Sequence, residues 1–108
     1  MKSKPVVPRD QANRDIDQAV AWYLQEQAPQ AALGLIDALE AAYAAISRSP
    51  SAGSPRYGNE LKLPGIRSWQ LSGYPFLVFY VERIDHIDVW RVLHAQRDIP
   101  AWMKDPDE

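Results

Sequence analysis

Apolar residues in the first half of the chain recur at helical spacing in two successive segments. The apolar positions of the first segment are Ala12, Ile16, Ala19, Val20, Tyr23 and Leu24. Those of the second segment are Ala32, Leu35, Ile36, Leu39, Tyr43 and Ile46. Pro29 suits the first turn of a helix, and Ala28 before it avoids helical backbone, so the two helices should separate there. Because the second helix is rich in alanine, it can pack closely on the first, which predicts an antiparallel helical hairpin.

The second half of the chain changes to the pattern of β-strands. The three strand candidates are Ile66–Leu71, Phe76–Val81 and His86–His94. The middle candidate is apolar throughout, which is typical of a central strand covered on both faces. The turns Ser72–Pro75 and Arg83–Asp85 are short, which predicts an antiparallel meander. Pro5–Pro8 is read as a short edge strand, and Ser51–Gly65 as a long loop.

These elements define the expected fold class. It is α+β: a short N-terminal strand, an antiparallel helical hairpin, and then a three-stranded antiparallel meander. A chain of 108 residues with 46% hydrophobic and 24% charged residues is typical of one folded domain. We expect this domain to span residues 1–108, with a loose tail from about residue 104.

Composition excludes several kinds of chemistry. A net charge of −2 lacks the basic surplus of proteins that bind duplex DNA, so no direct specific nucleic-acid binding is expected. The chain contains no cysteine. His86 and His94 would lie roughly 26 Å apart on one strand, so we expect no metal site. No phosphate-binding or dinucleotide-binding motif occurs, and no cofactor is expected. Neither a signal peptide nor a membrane span is evident, so the expected location is the cytoplasm, without a membrane partner.

Polar side chains cluster where the last strand candidate ends. Arg91, His94, Arg97 and Asp98 fall within eight residues of each other. Such a group can bind phosphate or a charged partner, and a histidine can act as an acid or base. The alternative is structural, with Arg91 paired to a carboxylate from a helix and Arg97 and Asp98 capping the exit of the strand. Arg67 on the first meander strand is likewise either a functional basic residue or a solvated residue on the face of the strand.

Tryptophan residues supply further candidates for partner binding. Trp22 lies beside the apolar stripe of the first helix, where it either packs on the second helix or anchors a partner. Trp102 follows the polar cluster in the C-terminal tail. Trp69 and Trp90 are better explained as core residues or interface anchors than as platforms for nucleobases.

Two stretches behind the hairpin carry a family resemblance. They are Tyr74–Tyr80, with the sequence YPFLVFY, and Val92–Asp98, with the sequence VLHAQRD. In this order they resemble the RelE/ParE superfamily of bacterial toxins from toxin–antitoxin pairs, and within it the ParE toxins. The resemblance covers about residues 6–103.

The resemblance implies two partners. One is a ParD-like antitoxin whose C-terminal segment wraps the toxin, and the other is DNA gyrase, the target of ParE toxins. Trapping gyrase on cleaved DNA requires binding and no catalytic group, so the implied protein is not an enzyme. A role in plasmid maintenance is implied as well. For a ParE-like chain, the partner-binding candidates are Trp22, Arg91, His94, Arg97, Asp98 and Trp102.

The RelE branch of the superfamily offers an alternative function. Its members cleave messenger RNA in the ribosome with basic residues on the meander, an acid or base, and often a tyrosine near the C-terminus. Here Arg67, Arg91 and His94 would be the catalytic residues, but Trp102 stands near the place of the tyrosine and has no phenolic proton. The acidic balance also differs from that of ribosome-acting nucleases. Both departures favour the ParE-like function, and an interaction module without toxicity is the third class.

An antitoxin also has a physical reason to bind. A layer of helices on one sheet leaves apolar surface that needs a cover. We expect the cover to engage the helical hairpin and the outer edge of the meander.

Overall fold

The computed structural model describes residues 3–96 and Ile99. Arg97, Asp98, Trp102 and the C-terminal tail therefore lie outside the described residues. The α-helices are α1 (Asp10–Gln25), α2 (Pro29–Arg48) and α3 (Arg56–Glu60), with a 3₁₀ turn at Pro50–Ala52. The strands are β1 (Val6–Pro8), β2 (Ile66–Gln70), β3 (Phe76–Glu82) and β4 (Ile87–His94). The α+β class, the helical hairpin and the meander are thus confirmed.

The four strands form one sheet in the order β1-β4-β3-β2. Strands β2, β3 and β4 pair antiparallel, as the short turns between them require. Strand β1 is at the edge but pairs parallel with β4, with Val6 opposite Ile87 and Pro8 opposite Val89. The sheet is therefore mixed, because the helical hairpin carries the chain from β1 across to β2 at the opposite edge.

Each face of the sheet has its own apolar cluster. On one face α1 and α2 pack against Val78 and Tyr80 of β3. On the other face Phe79 and Val81 of β3 pack with a second cluster that includes Ile99. The prediction that this strand is covered on both faces is confirmed, since these four residues are all buried.

The segment Ser51–Gly65, read as a loop from the sequence, contains part of the 3₁₀ turn and all of α3. A helix of five residues is too short to leave a periodic signal. Gly58 in α3 allows a close approach to β2, because a Cβ there would lie 2.6 Å from the carbonyl oxygen of Ile66. Tyr57 and Leu61 then pack onto the second cluster, so the face opposite the hairpin also has a cover.

The helical hairpin is tied to the turn between β2 and β3. Tyr74 Oη donates a hydrogen bond of 2.7 Å to the carbonyl oxygen of Ala31 in α2. Gly34, one turn further along α2, leaves the space for this hydroxyl. Within residues 3–96, no helix combines the length and hydropathy that crossing a membrane requires.

Candidate partner-binding groove

A groove of about 410 Å³ lies between α1 and the end of the sheet where β4 finishes. Its helical wall consists of one face of α1: Asp15, Gln18, Ala19, Trp22 and Tyr23. Its sheet side consists of residues from the start of β3 and the end of β4: Pro75, Phe76, Val92, Leu93, His94 and Gln96. The groove therefore combines aromatic and aliphatic surface with a few polar groups, the composition of a site that binds a peptide segment.

One ion pair holds α1 over β4 at the inner end of the groove. Arg91 donates from Nε to Oδ2 of Asp15 and from Nη2 to Oδ1, both at 2.8 Å. The backbone N–H of Val92 donates a third hydrogen bond, of 3.1 Å, to Asp15 Oδ2. The side chains of Asp15 and Arg91 are only 5% and 14% exposed. Pairing of Arg91 with a helix carboxylate, one of the two interpretations of the sequence, is what the structure shows.

An irregularity in the sheet accompanies this ion pair. Tyr80 of β3 pairs with Val89 and Phe79 pairs with Arg91, so Trp90 is an extra residue in β4. A bulge of this kind bends the strand and redirects the side chains that follow it. It lies directly before the residues of β4 that face the groove.

His94 lies at the outer end of the groove. Its ring contacts Phe76 edge to face, with 5.4 Å between the ring centroids. The backbone N–H of Gln96 donates to His94 Nδ1 at 3.1 Å. Because a backbone amide can only donate, Nδ1 is the acceptor in this contact. This contact fixes the orientation of the ring as β4 ends.

The helical wall ends in a row of aromatic rings. Trp22 meets Tyr23 edge to face at 5.0 Å between centroids, and Tyr23 meets Tyr74 in the same way at 5.8 Å. Trp22 is 55% exposed, whereas Tyr23 and Tyr74 are partly buried. A large exposed ring held by a rigid neighbour is the usual form of an interface anchor.

The candidate residues are not all in one place. Trp22 and His94 line the groove, and Arg91 lies behind it through Asp15. Arg67 does not line the groove and instead donates from Nη1 to the carbonyl oxygen of Gly53 at 2.8 Å. In the described part of the chain, no three histidine, aspartate or glutamate residues are grouped as metal ligands would be.

A second carboxylate cluster lies at the opposite end of β4. Asp88 accepts from Nε and Nη2 of Arg9, from Nε and Nη2 of Arg83, and from Nε1 of Trp90, at 2.9–3.2 Å. The Arg9 guanidinium also stacks on the Trp90 ring, 4.4 Å from its centroid. Burial has the largest single effect and would raise the pKa of Asp88, but the hydrogen bonds from Arg9, Arg83 and Trp90 and the charge of Arg9 together outweigh it and hold the pKa below its ordinary value. The cluster binds β1, β4 and the turn before β4 together.

The sequence did not reveal several groove residues. Asp15, Gln18, Tyr23 and Phe76 were not among the candidates, and Asp15 was the one with a usable signal. It is three residues after Ala12 and four before Ala19, so it lies on the buried stripe of α1. A carboxylate on such a stripe needs a cationic partner, and Arg91 supplies it.

Comparisons with known proteins place the fold in context. A family model for the ParE toxin of the type II toxin–antitoxin system parDE matches residues 6–99. A solved structure titled "Chromosomal ParDE TA system from P. aeruginosa" aligns with a TM-score of 0.71 and 18% sequence identity, covering 85% of this chain and 96% of that chain. At this identity the structural likeness shows the fold alone. Among curated proteins, no sequence matches at a significant level.

Proposed function

The chain belongs to the ParE toxin family of type II toxin–antitoxin systems, and we propose that it acts by binding DNA gyrase and is neutralised by a ParD-type antitoxin in the groove between α1 and β4. The single observation that carries the antitoxin site is this groove. It is apolar and aromatic along its walls, about 410 Å³ in volume, and continuous with the helical hairpin. When a peptide segment fills such a groove, the apolar side chains of its walls are removed from water, which favours binding.

The engagement of the arginine candidates supports action by binding. Arg91 donates hydrogen bonds from Nε and Nη2 to Asp15, and Arg67 donates one to a backbone carbonyl oxygen. His94 Nδ1 accepts from a backbone amide. Phosphate binding by Arg91 would require breaking a buried ion pair, which is costly. Arg67, Arg91 and His94, the residues that a nuclease would need, therefore all make hydrogen bonds within the folded chain.

Gyrase assays test the target. Purified protein should inhibit supercoiling by gyrase and stabilise its complex with cleaved DNA, and addition of the protein encoded by the adjacent gene should reverse both effects. Absence of both effects would contradict the gyrase target. If expression instead produced codon-linked cleavage of messenger RNA that Arg67→Ala or His94→Ala abolished, the toxin would be a nuclease.

A pair of apolar truncations tests the groove. Trp22→Ala should weaken binding of the adjacent gene's product by roughly 30-fold or more, since an exposed aromatic anchor behaves as a hot spot. Leu33→Ala is the matched control, because Leu33 is 68% exposed on the same hairpin but does not line the groove. Titration calorimetry gives both affinities. Equal effects of the two substitutions would place the antitoxin elsewhere.

A further inference from the structure

The segment of residues 55–65, which contains α3 and the turn after it, is held to the sheet by apolar contacts. Its own backbone hydrogen bonds run from Asn59 to Pro55, from Leu61 to Tyr57 and from Leu63 to Gly58. The side chain of Arg56 pairs with Glu60, one turn later in the same helix. Among the described residues, no hydrogen bond or ion pair of the segment reaches further than its neighbours Ser54 and Ile66. Within that part of the chain, the sheet therefore holds the segment without polar contacts.

This segment covers the second apolar cluster with side chains that are themselves only partly buried. The covering side chains are Tyr57, Leu61 and Leu63. The Tyr57 ring meets Phe79 edge to face, with 5.3 Å between the ring centroids. A Cβ at Gly65 would lie 3.7 Å from Cγ1 of Val81, so the end of the segment lies over that residue. Phe79 and Val81 are 0% and 7% exposed, and the segment is thus a thin cover over two buried side chains.

The two ends of the segment are attached differently. Ser54 and Ser68 exchange two backbone hydrogen bonds of 2.9 Å, which fix the chain directly before the segment. At the other end Gly65 has a φ of 86°, in the left-handed region that glycine enters without a steric cost. Lys62 has a φ of 56°, and its Cβ makes the same region unfavourable. Hinges are commonly residues at the ends of elements that absorb changes in φ and ψ, and Gly65, directly before β2, is in such a position.

A segment without hydrogen bonds to its surroundings opens at a lower free energy than the strands that it covers. We infer that residues 55–65 form a flap that opens as one unit between Ser54 and Gly65. Opening exposes Phe79 and Val81, which the flap covers in the closed state. The helical hairpin packs on the opposite face of the sheet, so it stays in place when the flap opens. The flap thus controls access to apolar surface on the face away from the hairpin.

Single thiols measure the opening, because the chain contains no cysteine of its own. Val81→Cys places a thiol under the flap. Val78→Cys is the matched control, since Val78 is 0% exposed on the hairpin face of the same strand. An aromatic disulfide reagent should label folded Val81→Cys at least about tenfold faster than folded Val78→Cys, after each rate is divided by that of the unfolded chain. Equal rates would overturn the flap.

A wedge at Gly58 separates opening of the flap from the slight exposure of Val81 in the closed state. A Cβ at Gly58 would lie 2.6 Å from the carbonyl oxygen of Ile66 in β2, so Gly58→Ala cannot leave the flap closed without a shift. Added to Val81→Cys, it should raise the labelling rate by about tenfold or more, and added to Val78→Cys it should not. Asn59→Ala is the matched control, because Asn59 is exposed on the same short helix, and it should change neither rate. Acceleration of both thiols by Gly58→Ala would reflect a general loss of stability and would count against the flap.

Amide hydrogen exchange in the unmutated protein tests whether the flap moves as one unit. A helix of five residues is not stable alone in water, so α3 should lose its hydrogen bonds when it leaves the sheet. The Leu61 and Leu63 amides should then share one opening free energy and one dependence on urea, below the values for Val78 in β3. Exchange of all three amides through the same global unfolding would contradict the flap. Different opening free energies for Leu61 and Leu63, without a dependence on urea, would show fraying residue by residue and would contradict it as well.

Circular dichroism keeps these outcomes interpretable. Each variant should retain the spectrum of the unmutated protein and a cooperative thermal transition. If Gly58→Ala failed to fold, the comparison of Val81→Cys with Val78→Cys and the exchange of the flap amides would decide without it. None of these measurements involves a partner protein, so their outcome is independent of the gyrase and antitoxin assays.

Discussion

Two aspartate–arginine clusters lie along β4, one near its start at Asp88 and one beside the groove at Arg91, and they differ in their access to water. At the groove end the side chains of Asp15 and Arg91 are 5% and 14% exposed. At the other end Asp88 is 11% exposed, but its partners Arg9 and Arg83 are 38% and 44% exposed. The same residue types therefore form a dry pair in one place and a half-hydrated cluster in the other.

The difference determines what each cluster contributes. A dry ion pair gains little net free energy from forming, but it is very costly to break, because one charge is then left buried. The Asp15–Arg91 pair consequently fixes the distance between α1 and β4, and with it the width of the groove. Arg9 and Arg83 can turn toward water when Asp88 is lost. Loss of the Asp88 cluster, which holds β1 in place, should therefore lower the free energy of unfolding less than loss of the Asp15–Arg91 pair.

Asp15→Ala should have the largest effect on stability. It removes the carboxylate that accepts two hydrogen bonds from Arg91 and one from the Val92 amide inside a dry contact, so the free energy of unfolding should fall by about 3–5 kcal/mol. Urea unfolding followed by circular dichroism measures this loss. Asp17→Ala is the matched control, since Asp17 is an exposed aspartate on the same helix. Equal losses for the two variants would show that the dry pair has no special role.

Asp88→Ala should be less damaging, in spite of its five hydrogen bonds. The released arginines are more than one third exposed and become hydrated, so we expect a loss of about 1–2 kcal/mol. The same urea experiment gives the value. A loss as large as that of Asp15→Ala would contradict the distinction between the dry and the hydrated cluster.

Acid should abolish the contribution of Asp88. Its pKa is lowered from the ordinary value of 3.8, so the folded protein binds fewer protons at this site than the unfolded chain near that pH. The stabilisation is fully present above the ordinary pKa and is lost as the pH falls through the lowered folded pKa. The difference in free energy of unfolding between the unmutated protein and Asp88→Asn should therefore shrink from pH 7 to below about 3.8.

Asp85 offers a check on this pH dependence. Its pKa is also lowered, chiefly by the hydrogen bond with His86. Because Asp85 is present in both proteins, its titration cancels from their difference. A difference that stayed constant from pH 7 into acid would mean that the cluster does not depend on the charge of Asp88.

The two clusters also show what the sequence can and cannot predict. The hairpin and the meander followed from periodicity, because their apolar residues face one continuous core at regular spacing. The short helix α3 could not be predicted from periodicity, because it spans only five residues. The pairing of β1 with β4 could not be predicted either, because it joins residues about 80 positions apart. Arg91 was a candidate with two interpretations, and the structure shows the pair with a helix carboxylate. Its partner is 76 residues away in the sequence, so only the fold could distinguish Asp15 from the other acidic residues of the hairpin.

The groove illustrates the same limit for the candidate site. Trp22 and His94 were recognised by residue type and lie on opposite sides of the groove. The bulge at Trp90, which lies directly before the groove residues of β4, has no sequence signal, because it depends on the register between β3 and β4. Residue types can be read from the sequence, whereas the register of the strands is a property of the assembled sheet.

Tyr43 lies outside both clusters. Its hydroxyl is buried and has no hydrogen-bond partner within the described residues. Burial raises the pKa of its hydroxyl to about 12. The hydroxyl has lost its hydrogen bonds to water and regained none, so Tyr43→Phe should leave the free energy of unfolding unchanged or raise it by up to about 1 kcal/mol. Tyr80→Phe is the matched control, because the Tyr80 hydroxyl donates a hydrogen bond of 2.6 Å to the carbonyl oxygen of Pro50. Loss of this hydrogen bond should lower the free energy of unfolding by about 1 kcal/mol. If thermal melts showed equal destabilisation by both substitutions, the Tyr43 hydroxyl would have a partner after all, and stability would follow burial rather than the satisfaction of buried polar groups.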